Sequence, residues 1–249
     1  MKKKIICFSI GIFICLFFLV LFSILVSNSG GAPLNIDANI RDFFYYIRGE
    51  EKNFVFYILR VITELGFVYF AVILGFIYLF ITKANNKFFN FVLGLLIMVL
   101  LNMSLKDIFQ RERPYEELRW VTETSYSFPS GHSATISFMI IFSIYFIFDT
   151  KVRKNIKIIL YVILGVLAIL VPMTRLYFGV HYFSDIISGM SVGTLVGLLM
   201  ILLTLVMKKY GIFEEPLITK AINYIKNKKE KKNNLSNDKI VEDNKENNE

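Results

Sequence analysis

The sequence predicts an all-α, polytopic membrane protein with six transmembrane helices, because its apolar residues are gathered into long blocks. The hydrophobic share, 55% of 249 residues, is only slightly above that of soluble proteins. A run of about 18 apolar residues can cross the hydrocarbon core as a helix, and six such runs occur. A buried core helix of a soluble protein could explain one or two of them, but not six. The predicted spans are residues 5–26, 65–82, 88–105, 132–148, 158–173 and 186–207.

Basic residues predict how these spans are oriented. Lysine-rich segments fall on one side, which the positive-inside rule makes the cytoplasm. They are residues 2–4, 83–87, 151–157 and 208–209. We therefore expect a multi-pass protein of the plasma membrane with both termini in the cytoplasm. The segments expected on the extracytoplasmic side are residues 28–60, 106–131 and 174–185.

The predicted organisation has four regions. The first apolar run is longer than the roughly 7–15 residues of a signal peptide, so we expect a retained anchor, although small residues at 29–32 leave cleavage open. A mixed segment follows, with charges interrupting aromatic residues, as in a helix that lies on the membrane surface. The regions are an N-terminal transmembrane anchor (1–27), an extracytoplasmic amphipathic segment (28–64), a helical core (65–207) and a cytoplasmic basic, partly disordered tail (208–249).

The net charge of +8 does not indicate a nucleic-acid partner, because much of it comes from lysines in the predicted cytoplasmic loops and tail. The only two cysteines, Cys7 and Cys15, lie in the first span and fit neither a disulfide framework nor a metal site. Seven arginines on the predicted outer side go against the positive-inside rule, and some of them need another explanation. They are Arg41, Arg48, Arg60, Arg111, Arg113, Arg119 and Arg175.

Three clusters of polar residues stand out, and all three fall in the predicted outer segments. Both histidines of the chain belong to them. Ionisable residues so close to a bilayer are costly and often mark function. The clusters are Lys106 to Pro114, Pro129-Ser130-Gly131-His132, and Thr174-Arg175 followed by His181 and Asp185.

The third cluster has the residue types of an activated nucleophile. His181 and Asp185 are four residues apart and would share a helix face if the sixth span began that early. The carboxylate can then accept the proton of one ring nitrogen, which leaves the other nitrogen as a directed nucleophile. Arg175 is expected in the preceding loop, where it can fold back onto a bound group.

The other clusters have the residue types of a phosphate site. Ser130 is a good helix N-cap, Gly131 lets an anion approach the backbone, and His132 in the first turn can donate a proton. Lys106, Arg113 and Arg175 can bind phosphate oxygens. Taken alone, Lys106 and Arg113 could be interfacial anchors, and the histidines could be a cap and a surface pair. Convergence on one face of the membrane favours the phosphate site.

The pattern Lys-x6-Arg-Pro, Pro-Ser-Gly-His and Arg-x5-His-x3-Asp resembles the type 2 phosphatidic acid phosphatase (PAP2) superfamily. That family also includes bacterial lipid phosphatases, glucose-6-phosphatase and vanadium haloperoxidases. The resemblance covers residues 65–207, and three ordered motifs are far more specific than any one of them. It implies a PAP2-type helical bundle for this core. The third motif usually begins Ser-Arg, whereas here it begins Thr174-Arg175, which keeps the hydroxyl group.

The resemblance also implies roles for individual residues. His181 would attack phosphorus and form a phosphohistidine, which Asp185 orients. His132 would protonate the leaving oxygen and then activate water. No metal and no other cofactor is implied. The residues expected to hold the phosphoryl oxygens are Lys106, Arg113, Ser130, Gly131 and Arg175.

An amphiphilic phospholipid or polyprenyl phosphate is the substrate that fits a site at the membrane boundary. The outward-facing site favours undecaprenyl diphosphate of cell-wall synthesis, with phosphatidylglycerophosphate and phosphatidic acid as alternatives. A lipid phosphotransferase, a vanadate haloperoxidase and a non-catalytic scaffold are the other readings of the same motifs. The six spans speak against the haloperoxidase, whose known members are generally soluble. The sequence does not determine the oligomeric state.

Overall fold

The computed structural model describes residues 2–82 and 85–210, and the regular structure in these ranges is entirely helical. The predicted all-α class is therefore confirmed. The predicted disorder of the tail concerns residues from 211 onward, which lie outside the described residues. The helices are α1 Lys2–Asn28, α2 Asn35–Arg48, α3 Phe54–Glu64, α4 Val68–Thr82, α5 Asn85–Phe109, a 3-10 turn Glu116–Leu118, α6 Gly131–Asp149, α7 Lys154–Tyr177 and α8 Phe183–Lys209.

Five of the described helices, α1, α5, α6, α7 and α8, are long and apolar enough to cross a bilayer. A sixth crossing needs α3 and α4 together, because the 15 residues of α4 are too short for the hydrocarbon core. The two helices meet at a bend of 53°. With this pair counted as one broken span, the structure agrees with the predicted six-span bundle. The predicted span at 65–82 is then only its second half, and α3 supplies the first.

Helix α2 occupies the segment predicted to be amphipathic, and its two faces differ as such a helix requires. Phe43, Tyr46 and Ile47 are exposed, whereas the charged side chains of Asp37 and Arg48 are buried against the rest of the protein. This arrangement suits a helix that lies in the membrane interface and turns its apolar face to lipid.

Helix α8 forms the centre of the bundle and packs against α1, α5 and α6. Its contact with α6 is close because two glycines face that helix. A Cβ atom added at Gly189 would lie 2.3 Å from the Ser130 carbonyl oxygen, and one at Gly193 would lie 2.0 Å from that of Ala134. Small residues spaced four apart allow helix backbones in membranes to approach in this way. The contact fixes the start of α6 against the start of α8.

Aromatic side chains fill the core between α4, α5, α6 and α8. Phe91, Phe138 and Phe142 are fully buried, and their rings contact one another at centroid distances of 5.2–5.3 Å. The outer surfaces of α1, α5 and α7 instead carry many exposed apolar side chains, as expected for helices that face lipid. The ends of α5 and α7 and the starts of α6 and α8 meet at one end of this bundle, beneath α2.

Candidate active site

The three sequence clusters meet at that end of the bundle. Arg113 of the first cluster contacts His181 of the third, with 3.1 Å between Nη1 and Nε2. The backbone amide of Ser130 in the second cluster donates to the Asp185 carbonyl at 3.0 Å. Residues that are far apart in sequence therefore surround one small region, as the motif order predicted.

His181 precedes α8, which begins at Phe183, so the condition under which it would share a helix face with Asp185 is not met. Asp185 instead acts as the capping residue of the first turn, because its Oδ2 accepts from the backbone amide of Tyr182 at 2.8 Å. This cap folds the chain back so that Nδ1 of His181 lies 3.4 Å from Oδ2. Capping, rather than helical periodicity, brings the pair together.

The contacts of His181 determine which ring nitrogen carries the proton. The Arg113 guanidinium has only donors, so Nε2 of His181 must accept from it. The proton therefore lies on Nδ1 and faces Asp185. Burial, followed by the charges of Arg113, Lys106 and Arg175, holds the pKa of His181 well below its ordinary value. His181 is thus a neutral imidazole whose Nε2 lone pair points to the cationic side of the site.

Asp185 is fully buried and accepts hydrogen bonds at both carboxylate oxygens. Oδ2 accepts from the Ser127 hydroxyl as well as from the Tyr182 amide. Oδ1 accepts from Nη1 of Arg111 at 2.6 Å. These donors fix the orientation of the carboxylate, so that Oδ2 faces Nδ1 of His181.

Arg111 was not among the predicted site residues, although it lies inside the first motif. Its side chain is fully buried between two carboxylates, Asp185 on one side and Asp37 of α2 at 2.8 Å on the other. Burial opposes the charge of Arg111, but the two carboxylates outweigh it and raise the pKa of the guanidinium. Its place in the first cluster and its conflict with the positive-inside rule were the sequence signals for this residue. Asp37 carried no signal at all.

Arg175 was predicted to lie in the loop before His181. It lies instead in the last turn of α7, because that helix continues to Tyr177. Gly179, which follows the C-cap residue Phe178, has a φ of 69° that suits glycine and ends the helix there. Nη1 of Arg175 donates to the Thr63 hydroxyl at 3.1 Å, and the Thr63 and Thr174 hydroxyl groups are hydrogen-bonded to each other at 2.9 Å. The hydroxyl that Thr174 shares with the usual serine therefore supports Arg175 through Thr63.

Glu123 is a further residue that the sequence did not single out. Its carboxylate forms an ion pair with Arg175 and lies 3.7 Å from Nη2 of Arg113. Both arginines were predicted to bind phosphate, and a phosphate bears the same charge sign as this carboxylate. The Glu123 carboxylate thus lies between the two arginines, where a bound phosphate group is expected.

The second cluster begins α6 as predicted. The Ser130 hydroxyl caps the helix by accepting from the amide of Ser133 at 3.4 Å. His132 lies in the first turn and is 9% exposed, and its ring packs edge-on against Phe67 at 4.3 Å. Its Nε2 is buried and has no partner among the described residues. That atom is free to bond a group that enters the site.

Two adjacent cavities are lined in part by predicted site residues. A polar cavity of about 600 Å³ is lined by Lys106, Arg113 and Glu123, among others. An apolar cavity of about 200 Å³ is lined by Phe67 and His132. Met103 lines both. A charged group and an apolar chain of one ligand could therefore be accommodated in the two cavities.

The structure brings together all eight residues predicted for the site, and their catalytic roles remain predictions. Within residues 2–82 and 85–210, no group of three or more His, Cys, Asp or Glu side chains is placed to hold a metal ion. Three of the outer arginines are explained by burial in or beside the site. They are Arg111, Arg113 and Arg175.

Comparison with known proteins places this geometry in a family. The profile of the PAP2 superfamily matches residues 87–208. Phosphatidylglycerophosphatase B of Bacillus subtilis (strain 168) is 40% identical over 101 residues, which are 39% of this chain and 47% of that protein. The matched stretch thus spans about half the length of this relative.

Two solved structures share the fold. One is the first transmembrane PAP2-type phosphatidylglycerolphosphate phosphatase from Bacillus subtilis, with a TM-score of 0.62 and 26% identity over 78% of this chain and 95% of that chain. The other is LpxE of Aquifex aeolicus, with a TM-score of 0.52 and 24% identity over 64% and 93%. The profile match, the relative and the shared bundle agree with the three motifs, and residues 87–208 of this chain belong to the PAP2 superfamily.

Proposed function

We propose that this protein is a membrane lipid phosphatase that hydrolyses a phosphomonoester through a phosphohistidine on His181. The observation that carries the proposal is the geometry around the imidazole. Asp185 holds the proton on Nδ1, and Nε2 faces Arg113. A neutral, oriented imidazole beside fixed cations is the arrangement that nucleophilic attack on phosphorus requires.

The first half-reaction uses the groups on both sides of the imidazole. Arg113, Lys106 and Arg175 bind the phosphoryl oxygens in place of Glu123. Nε2 of His181 then attacks phosphorus, and the bond from phosphorus to the ester oxygen breaks with its electron pair on that oxygen. His132 donates a proton to the oxygen, and the lipid alcohol leaves.

The second half-reaction reverses these roles. His132, now neutral, takes a proton from a water molecule that attacks the phosphohistidine. Phosphate departs and His181 returns to its neutral state. Asp185 balances the positive charge that the histidine ring carries while it is phosphorylated.

Phosphatidylglycerophosphate is the substrate we favour. The curated relative and the first solved structure, both from Bacillus subtilis, are named for this lipid, and the solved structure aligns over 95% of its own chain. Undecaprenyl diphosphate, the substrate favoured from the sequence, has no comparable support. The apolar cavity beside His132 suits the lipid part of such a substrate, and the polar cavity suits its head group.

The test is phosphate release by the purified protein in detergent with EDTA present. Phosphatidylglycerophosphate, phosphatidic acid and undecaprenyl diphosphate are offered in parallel. We expect the first to be hydrolysed fastest and His181→Ala to be inactive while eluting and melting like the wild type. Labelled substrate should also leave an acid-labile phosphoenzyme that is absent from the variant. Substantial turnover by His181→Ala would reject the mechanism, and preference for the diphosphate would reject the substrate.

We further propose that the site faces the extracytoplasmic side, because the lysine-rich loops lie at the opposite end of the bundle. Single cysteines can be introduced at the exposed positions Glu117 and Val152 in a background without Cys7 and Cys15. A membrane-impermeant maleimide should label the first in intact cells and the second only after lysis. The reverse pattern would place the site in the cytoplasm.

A further inference from the structure

Asn102 of α5 has a buried side-chain amide whose donor group is not hydrogen-bonded within the described residues. It is 5% exposed, and its Nδ2 has no hydrogen-bond partner among the described residues. A buried amide donor without a partner is destabilising, so such a group calls for an explanation, and a ligand that completes it is one. Asn90 on the same helix differs in its donor, because its Nδ2 donates to Thr204 at 2.8 Å and only its Oδ1 lacks a partner among the described residues.

The position of Asn102 indicates which ligand atom would complete it. It lines the apolar cavity together with His132, whose Nε2 is also buried without a partner. Its Oδ1 lies 3.5 Å from where a Cβ atom of Gly131 would be, so the amide packs against the first turn of α6. Asn102 is also one helical turn before Lys106, on the same side of α5. Two unpartnered polar atoms thus line the cavity that suits the lipid part of a substrate.

We propose that Asn102 is a catalytic residue that donates a hydrogen bond to the leaving oxygen of the lipid, beside His132. This inference rests on the proposed phosphatase function and adds a residue that the three motifs do not contain. As the bond between phosphorus and the ester oxygen breaks, charge develops on that oxygen. The Nδ2 donor stabilises this charge without losing a proton, and His132 supplies the proton that forms the alcohol.

The same geometry assigns Asn102 to the second half-reaction. The attacking water must enter where the alcohol left, because hydrolysis passes through the same in-line arrangement in reverse. Asn102 then positions that water for His132. By contrast, the non-bridging oxygens are bound by Arg113, Arg175 and Lys106 in the proposed mechanism.

The test separates a donor to the leaving oxygen from a residue that only stabilises the fold. The kcat/KM for a lipid phosphomonoester, whose alkoxide is a poor leaving group, is compared with that for 4-nitrophenyl phosphate, whose phenolate leaves readily. We expect Asn102→Ala to lower the first by about 10²-fold, the low end for loss of one such donor. The second should fall less than about threefold. The matched control, Asn90→Ala, should lower the melting temperature but leave the ratio of the two kcat/KM values unchanged.

Inhibition gives a second, independent measurement. Vanadate bound to a nucleophile has an apical oxygen in the leaving position, whereas inorganic phosphate presents mainly non-bridging oxygens to the cations. Asn102→Ala should therefore weaken inhibition by vanadate at least tenfold more than inhibition by phosphate. Equal losses for both substrates and both inhibitors would overturn the proposal. Failure of the wild type to release phosphate from any lipid would instead reject the proposed function.

Discussion

Replacing Arg111 by methionine tests how the buried charges under the site are balanced. Arg111, Asp37 and Asp185 have no exposed side-chain surface, and the guanidinium lies 2.8 and 2.6 Å from the two carboxylates. Methionine fills a similar volume but leaves both carboxylates without their counter-charge. Removing one partner of a buried ion pair costs about 3–5 kcal/mol, because the other charge stays desolvated. We expect a loss of that size in the free energy of unfolding.

A double-mutant cycle in detergent measures the effect. Asp37→Asn alone should destabilise the protein, whereas in the Arg111→Met background it should cost much less or even stabilise, because it removes one of two unpaired charges. Arg41→Met is the matched control, since Arg41 pairs with the exposed Asp42, and such pairs contribute only about 0–1 kcal/mol. Additive losses, or a loss below about 1 kcal/mol for Arg111→Met, would refute the account.

Three further predictions concern the site and its support. Asp185→Asn should lower kcat by roughly 10²- to 10⁴-fold with little change in KM, because the amide cannot hold the His181 tautomer; a change in KM alone would make Asp185 structural. Glu123→Gln should strengthen inhibition by inorganic phosphate several-fold, since the carboxylate competes for Arg113 and Arg175; weaker inhibition would mean that Glu123 positions them. Gly193→Ala should cost about 1–3 kcal/mol of stability by forcing α6 from α8, and an unchanged melting temperature would contradict that contact.

The class of protein and its family were predictable from the sequence because both depend on local patterns. Apolar runs long enough to cross a bilayer need no tertiary context, and the structure agrees with the six spans apart from the break between α3 and α4. The three motifs were sufficient to predict the family, because they follow one another along the chain in the order that the family shows. The N-cap at Ser130 was also predictable, since capping involves neighbouring residues only.

Contacts between distant segments were decided only by the tertiary structure. Asp37 meets Arg111 across 74 residues, and Glu123 meets Arg175 across 52. Neither carboxylate has a local pattern that marks it, because its partner is chosen by how α2 and the α5–α6 connection fold over the bundle. The spacing of His181 and Asp185 suggested a helix face, but the cap of α8 brings them together instead. Local sequence thus determined which groups could do chemistry, and packing decided which buried groups hold them in place.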